Sequence, residues 1–438
     1  MAKQEERVST ETSMNVRILK MGEYENAVRK MMDAKLAAVK NHDYGFNTPT
    51  FVWGLPGVGK SKIIESICKD TWGKASDKVR DLEPWSARSW AFYSEKEKAD
   101  VLAGETGWVL MDVRLSQIDP VELKGAPFYD IKNQTAKFVR FDELLPDTDF
   151  PCPLILLLDE FPQAPDLVQS AAYQLINEGR VGNHRLPRRC VTLAAGNPDS
   201  CQGVNFQLPL ALETRFDHVW LDIDHQGFYN YMNKMGYDES LVSYFGLCAT
   251  EDTDSLYKMN PGMGNMPNFR SWEKVAKKLQ YGFGYEDAIA DSVGKDAVAK
   301  FMVFKRMTKD IPEAETLIKK KTYYSEISKQ IVACQKIANV IQMPALSTKK
   351  SDRELWDMFQ YFYDMHNPSE TTDLREELSM MFMLNLRKNV NMLDRVDKGY
   401  SEVLKSGEFK APKDNQGKKV EDLFLLLLYK WPVMKEMD

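Results

Sequence analysis

The chain has 438 residues, a formal net charge of −6 and a charged fraction of 28%. Its hydrophobic fraction of 43%, with 24 glycines and 20 prolines, is typical of globular proteins and excludes collagen-like and disordered classes. The negative balance excludes the global cationic field that drives non-specific binding to nucleic acid. At ~100 to 200 residues per domain, the length predicts two or three domains.

The cysteines and the start of the chain bear on its compartment. The six cysteines are far apart and form no CxxC pair, so a structural zinc site is not expected. The first residues, MAKQEERVSTETSMNV, are polar and lack the apolar core of a secretory signal, which predicts a cytoplasmic protein without disulfides. The longest apolar run, Leu423 to Tyr429, is far shorter than the ~20 residues of a membrane-spanning helix, so no membrane anchor is expected.

In chain order, residues 1–45 are predicted to hold a loose arm, to about residue 20, and one amphipathic helix, Glu23 to Lys40. Residues 46–225 alternate short apolar strands with helical stretches, the order expected of an α/β fold with a parallel sheet. The predicted strands are Thr50 to Trp53, Val109 to Val113, Leu154 to Leu158, Val191 to Ala195 and His218 to Ile223.

Beyond residue 225 the strand patterns stop, and the composition shifts towards Met, Lys and aromatic residues. This shift predicts a helical region at 226–310 and a helical extension at 311–438. The segment Met343 to Ser351 interrupts the helical pattern. It ends at Ser351, which with Glu354 has the spacing of a capping box at the start of another helix.

A glycine-rich motif follows the first predicted strand. Gly54-Leu55-Pro56-Gly57-Val58-Gly59-Lys60-Ser61 fits G-x-x-x-x-G-K-[ST], with a strand before it and an apolar helix after it. Glycines let successive backbone N–H groups converge on phosphate oxygens, and the helix N-terminus favours negative charge there. Lys60 would neutralise the terminal phosphates, and Ser61 would offer an oxygen to Mg²⁺. The alternative is a plain turn between strand and helix.

Polar residues end two later strands. Asp159 and Glu160 follow the run Leu154 to Leu158, and in a nucleotide site Asp159 would hold the Mg²⁺ shell while Glu160 deprotonates the attacking water. Asn197 ends the next strand, at the carboxyl edge where open α/β sheets bind ligands, so it can contact the γ-phosphate or the water. The alternatives are two exposed acids at a strand end, and an Asn that only begins a turn before Pro198.

These residues, in this order, resemble the AAA+ ATPases, and among them the MoxR-like branch close to the dynein-related AAA group. The resemblance covers about residues 46–280 and is carried by WGLPGVGKS, VRLSQIDPVELKG, LLLDEFPQAPDLVQSAAYQLINEGRVG, AAGNPDS and LPLALETRFDHVWLDI. It implies a P-loop αβα sandwich followed by a helical lid at 226–310 and the extension at 311–438. It also implies an ATP-hydrolysing ring, usually a homo-hexamer, with nucleotides between neighbouring subunits.

The resemblance assigns roles by position. Asp159 and Glu160 match Walker B, Asn197 matches sensor 1, and Ser61 and Asp159 would bind Mg²⁺. Residues assigned to the nucleotide are Gly54, Pro56, Gly57, Val58, Gly59, Lys60, Ser61, Lys62 and Asp159.

Two arginines complete the set of catalytic residues that the resemblance implies. Arg215 matches the arginine finger, which acts on the nucleotide of the next subunit; the alternative is a helix-end Arg paired with Glu213 or Asp217. Arg270 aligns with the sensor 2 arginine at the start of a lid helix, but many relatives have Pro where this chain has Phe269. A structural salt bridge is therefore the alternative for Arg270.

A predicted β-hairpin at about 126–142, with its turn near Lys132, precedes the Walker B strand. In the resembled branch such an insert projects towards the pore or axial face of the ring. Here Lys132, Lys137 and Arg140 would contact a protein client, or the hairpin is simply solvated.

The resulting hypothesis is a ring-forming ATPase that remodels a protein client. Relatives often act with a partner that carries a von Willebrand factor A domain, and this chain has no DxSxS metal motif, so such a partner would be a separate chain. One alternative is a nucleic-acid motor or loader, for which the candidate surface is Lys319 to Lys321 with Tyr323 and Tyr324. Another is an ATP-dependent switch without turnover, which the presence of Glu160, Asn197 and Arg215 disfavours.

Overall fold

The computed structural model of the protein describes residues 16–72, 82–103, 106–133, 135–139, 145–182, 184–198, 208–251, 253–258, 265–309, 311–322, 324, 329–330, 332–334, 336–337, 350–365 and 390–406. The chain divides into two compact units. The first contains Met1–Phe228 and Met259–Trp272, and the second contains Tyr229–Lys258 and Glu273–Asp438. The predicted limits of the lid and of the C-terminal extension stay predictions.

Ten strands lie in the described part of the first unit. They are β1 (Arg17–Leu19), β2 (Thr50–Gly54), β3 (Val109–Arg114), β4 (Ala126–Asp130), β5 (Thr135–Val139), β6 (Leu154–Asp159), β7 (Arg180–Val181), β8 (His184–Arg185), β9 (Cys190–Gly196) and β10 (Asp217–Leu221). Six of them form one parallel sheet in the spatial order β1, β10, β2, β9, β6, β3, while β4 pairs with β5 and β7 with β8 in antiparallel hairpins.

Helices surround the sheet and make up the described parts of the second unit. In chain order they are α1 (Met21–Lys40), α2 (Lys60–Thr71), α3 (Ala87–Trp90), α4 (Glu95–Leu102), α5 (Pro120–Lys124), α6 (Asp166–Glu178), α7 (Leu210–Glu213), α8 (His225–Lys234), α9 (Glu239–Glu251), α10 (Thr253–Leu256), α11 (Phe269–Gln280), α12 (Glu286–Val293), α13 (Lys295–Thr308), α14 (Ala314–Lys320), α15 (Asp352–Met365) and α16 (Val390–Ser406).

The central strands are buried on both faces, which explains their continuous apolar runs. Leu154 to Leu158 of β6 are all 0% exposed, as expected for a strand covered by helices on either side. Parallel pairing brings the carboxyl ends of the strands to one edge. Trp53 pairs with Gly196, and Arg114 pairs with Asp159. The motif after β2, the amide after β9 and the acids after β6 therefore meet at this edge.

The predicted α/β class with a parallel sheet is confirmed, and all five predicted strands are present within two residues of their expected limits. The prediction of a loose arm up to about residue 20 is wrong for its last residues, because Arg17–Leu19 form β1 and pair in parallel with β10. Three residues are too few to show a hydrophobic period, so sequence patterns could not reveal this edge strand.

The predicted hairpin is formed by β4 and β5, with Asp130 paired to Thr135. Its apolar side chains are exposed, including Phe128 at 64% and Tyr129 at 71%. Lys132 is exposed in the turn, whereas the side chains of Lys137 and Arg140 lie outside the described residues.

In the second unit, the capping box before α15 is confirmed. The Ser351 hydroxyl accepts from the Glu354 backbone N–H at 3.2 Å, and the Glu354 carboxylate accepts from the Ser351 N–H at 2.8 Å. Trp356 and Phe359 are buried, with Tyr400 of α16 packed 4.7 Å from the Trp356 ring. The apolar stretches Met380 to Met383 and Leu425 to Leu428, and Tyr323 of the basic cluster, lie outside the described residues.

Among the helices in the described part of the chain, none has the length and apolar character needed to cross a membrane. Five cysteines are described, and all five are buried free thiols: Cys68, Cys152, Cys190, Cys248 and Cys334.

Candidate nucleotide site

The loop between β2 and α2 depends on two glycines in left-handed backbone conformations. Gly57 has φ +79° and Gly59 has φ +101°, both strained for any residue with a side chain. A Cβ at Gly57 would also lie 3.0 Å from Asn268 Oδ1. The loop leads directly into the N-terminus of α2, whose free backbone N–H groups favour an anion.

The Lys60 ammonium connects this loop to the neighbouring strand. Its Nζ donates to the carbonyl oxygens of Gly54 at 2.7 Å and Leu55 at 3.1 Å, and to Asn197 Oδ1 at 2.7 Å. Three acceptors match the three N–H donors of an ammonium group. The structure thus places the predicted sensor amide and the predicted phosphate-binding lysine in direct contact.

Ser61 and Asp159 form a second direct contact, at the start of α2. Ser61 Oγ donates to Asp159 Oδ2 at 2.6 Å, and Asp159 Oδ1 accepts from the Glu160 backbone N–H at 2.8 Å. Hydroxyl and carboxylate oxygens are the ligands that Mg²⁺ prefers, and this ion usually takes one or two protein ligands together with substrate phosphates and waters. The two oxygens fit that chemistry.

Glu160 is held in an unusual position. Its backbone is left-handed, with φ +55° and ψ +35°, a conformation that is uncommon for residues other than glycine. The hydroxyl of Ser116 donates to Glu160 Oε2. Ser116 lies in the helical turn Leu115–Gln117 directly after β3, the strand next to β6. Sequence reasoning missed Ser116, although its position just beyond a strand end could have suggested it.

A further carboxyl group lies on β3 close to these acids. Asp112 Oδ1 is buried and has no hydrogen-bond partner among the described residues. Burial raises the pKa of this carboxyl, and the charge of Asp159 adds to the rise, while Arg114 and Arg88 oppose it. The hydroxyl of Tyr24 on α1 is buried as well, and burial followed by the charge of Asp159 raises its pKa. Neither residue was predicted.

Arg215 lies on the short turn after α7 and contacts its own chain. Its Nη2 donates to the Tyr173 hydroxyl, and its guanidinium lies 4.7 Å from the centre of the Tyr173 ring. The alternative pairing with Glu213 or Asp217 is not seen in the described part of the chain. Arg215 is exposed and is not joined to the glycine-rich loop of its own chain by any described contact.

Arg270 is the second residue of α11 and is exposed. Within the described ranges it forms no ion pair, so the predicted alternative of a salt bridge finds no partner there. Asn268 caps the helix, since its Oδ1 accepts from the Ser271 N–H at 2.9 Å. The same Oδ1 lies against Gly57, so the start of α11 is close to the glycine-rich loop.

Phe269, the first residue of α11, is buried. The ring is 2% exposed and stacks on Phe228 at 4.3 Å with an interplanar angle of 8°. It therefore fixes the start of α11 by packing. Further along α11, Trp272 and Val275 are buried and Leu279 is half-buried.

Five predicted residues thus come together: Lys60, Ser61, Asp159, Glu160 and Asn197. Val58 is fully buried beneath the loop. Lys62, assigned to the nucleotide, has its ammonium 3.0 Å from Glu65 Oε2 on the surface of α2.

Comparison with known proteins does not assign a family. No family model matches the chain, and no curated protein matches it. The chain is similar to the crystal structure of NtrX from Brucella abortus, at 12% identity over 72% of this chain and 61% of that chain, with a TM-score of 0.30. It is similar to C. elegans PCH-2 at 13% identity over 66% of this chain and 69% of that chain, also with a TM-score of 0.30.

Proposed function

We propose that the protein is an ATP hydrolase of the AAA+ class. One observation carries the proposal: the two functional side chains of the glycine-rich motif bond directly to the polar residues that end two neighbouring strands. Lys60 bonds to Asn197 at 2.7 Å and Ser61 bonds to Asp159 at 2.6 Å. A plain turn between strand and helix has no need of either contact.

The chemistry follows from the positions of these groups. Lys60 and the N-terminus of α2 supply positive charge where the terminal phosphates would bind. Glu160 is the only one of these residues suited to take a proton from the attacking water, because Asp159 already accepts hydrogen bonds at both oxygens. Asn197 would orient the water or the γ-phosphate. A Mg²⁺ ion held by Ser61 and Asp159 would neutralise the charge of the phosphate oxygens.

The finer proposal is a MoxR-like remodelling motor in a homo-hexameric ring, acting in the cytoplasm on a protein client with a von Willebrand factor A partner. This finer proposal is supported by the sequence motifs over residues 46–280 and by the placement of Arg215. This arginine is exposed and has no described contact with its own phosphate-binding loop. A finger that serves the next subunit has to be accessible in that way.

Steady-state ATP hydrolysis at increasing protein concentration tests the proposal, with the ring size measured by mass photometry in ATP. Glu160→Gln should assemble without turnover, and Arg215→Ala should lose turnover by a factor of order 10³ or more. Mixtures of these two variants should partly recover activity, because the intact Glu160 and the intact Arg215 then meet in one shared site.

Arg188→Ala is the matched control for the arginine variant. Arg188 is also an exposed arginine over a tyrosine, with its guanidinium 4.3 Å from the Tyr44 ring, but it is outside the site. The Arg188→Ala variant should hydrolyse ATP like the wild type. A monomeric wild type without turnover would favour the ATP-dependent switch, and normal turnover by Arg215→Ala would refute the shared site.

A further inference from the structure

His218 of β10 connects two parts of the proposed catalytic machinery within one subunit. Its Nδ1 lies 3.0 Å from Trp53 Nε1, and its Nε2 lies 2.8 Å from the carbonyl oxygen of Glu213. Trp53 directly precedes Gly54, whose carbonyl accepts a hydrogen bond from Lys60. Glu213 is two residues before Arg215. The imidazole thus bridges the strand of the phosphate-binding loop and the turn that carries the arginine.

The two partners determine the tautomer of His218. The indole N–H of Trp53 can only donate, so Nδ1 has to be the acceptor. The carbonyl of Glu213 can only accept, so Nε2 has to carry the proton. This is the neutral imidazole with both nitrogens in use, an arrangement that a purely apolar packing role does not require.

Aromatic packing reinforces the bridge from the same face of the sheet. His218 is paired in register with Phe51, and the Trp53 ring stacks on Phe51 at 4.3 Å. Phe216, next to Arg215, packs edge-on against Phe51 at 5.3 Å. The turn from Glu213 to Phe216 is therefore held at both ends, by the His218 hydrogen bond and by the Phe216 ring, with Arg215 between them.

We propose that His218 is a positioning residue for Arg215. It holds the arginine-bearing turn at a fixed place relative to the phosphate-binding strand, so a subunit presents Arg215 to its neighbour in a position set by its own β2. The inference rests on the proposed function, since it needs Arg215 to act on a neighbouring site. In this proposal His218 acts through the turn, by its hydrogen bond to the Glu213 carbonyl oxygen.

His218→Leu tests the proposal because it keeps apolar volume and removes both hydrogen bonds. The expected result is a loss in kcat of between about tenfold and 100-fold, the usual cost of a misplaced catalytic group. The KM for ATP should change less than twofold, because the contacts of Lys60 and Ser61 are untouched. His218→Gln, whose amide offers one acceptor and one donor, should recover most of the lost turnover.

Two further arms separate positioning from general damage to the fold. In the Arg215→Ala background, His218→Leu should cause no additional loss, because both changes disable the same group. Mixed with Glu160→Gln, which supplies an intact Arg215 turn, His218→Leu should regain activity. Trp53→Phe, which removes one of the two hydrogen bonds, should give an intermediate loss and serves as the second variant if His218→Leu does not fold.

The outcomes distinguish this inference from the proposed function. If the mixture of Arg215→Ala with Glu160→Gln recovers and that of His218→Leu with Glu160→Gln does not, the positioning role is wrong and the shared site stands. An equal loss from His218→Leu with and without Arg215, or a raised KM, would also overturn it. If neither mixture recovers, the shared site itself fails.

Discussion

Glu160 differs from the other residues of the proposed site in its backbone conformation. Its left-handed conformation turns the carboxylate away from the path of β6, and Ser116 is the residue that holds it there. Because Ser116 lies in the turn directly after β3, the position of the proposed base depends on β3 as well as on β6. Ser116 has no other assigned role, so a substitution there tests this dependence.

Ser116→Ala should lower kcat by about tenfold and leave the KM for ATP unchanged. The substitution removes a hydrogen bond to a charged group, worth roughly 1.5 to 3 kcal/mol, but it touches none of the phosphate-binding residues. Steady-state kinetics measure the effect, and Ser116→Thr, which keeps the hydroxyl, is the control. Equal losses in the Ala and Thr variants would show that the hydroxyl is not what positions Glu160.

At the scale of single residues, sequence predicted which side chains come together where the motif was local. The glycine-rich motif and the paired acids each lie within a few consecutive positions, so their types and spacing were enough. Ser116 and His218 could not be found in this way. Their partners Glu160 and Trp53 are 44 and 165 residues away along the chain, and only the pairing of strands brings them together.

At the scale of elements, α11 shows how packing can replace a local backbone preference. Proline is favoured at the first position of a helix because of its fixed φ, whereas α11 begins with Phe269. Here the helix start is fixed by Asn268 as its cap and by the Phe269 ring on Phe228. The start of the helix therefore depends on the packing of the Phe269 ring, which contacts Phe228 and also lies edge-on to His225 at 5.7 Å.

Phe269→Ala should lower the free energy of unfolding by about 3 to 5 kcal/mol, the usual result of truncating a buried phenylalanine. Urea unfolding followed by tryptophan fluorescence measures this change. Phe269→Leu keeps most of the volume and should lose much less. A wild-type midpoint in the Ala variant would mean that the Phe228 stack does not hold the start of α11.

Sequence predicted a strand where a run of neighbouring residues is apolar. Short, mostly apolar runs of four or five residues marked β2, β3, β6 and β9. Such runs are expected of β6 and β9, which are buried along nearly their whole length. The edge strand β1 and the two-residue strands β7 and β8 contain too few residues to form a pattern. Their existence depends on the neighbours they pair with.

At the scale of the whole molecule, the buried thiols make folding depend on pH. Burial raises the pKa of Cys190 to about 12, although the charge of Lys35 opposes this rise. An unfolded cysteine ionises near pH 8.5. Between these two values the unfolded chain binds fewer protons than the folded one. The free energy of unfolding should therefore fall as pH rises through this window, by up to about 1.4 kcal/mol per pH unit for this thiol.

Urea unfolding at pH 8 and pH 10 tests this dependence against Cys190→Ala. The wild type should lose more stability between the two pH values than the variant, by up to about 2 kcal/mol. Only the change with pH is compared, because the variant also leaves a small cavity. The same pH dependence in both proteins would show that Cys190 ionises as readily in the folded chain as in the unfolded one.

The short strand β1 also has a consequence for how the protein can be shortened. It covers one side of β10, with Arg17, Ile18 and Leu19 paired to Val219, Trp220 and Leu221. A chain that begins at residue 20 would leave the backbone N–H and C=O groups along β10 open. Exposed strand edges pair with other molecules, so such a truncation is expected to aggregate although it removes no residue of the proposed site.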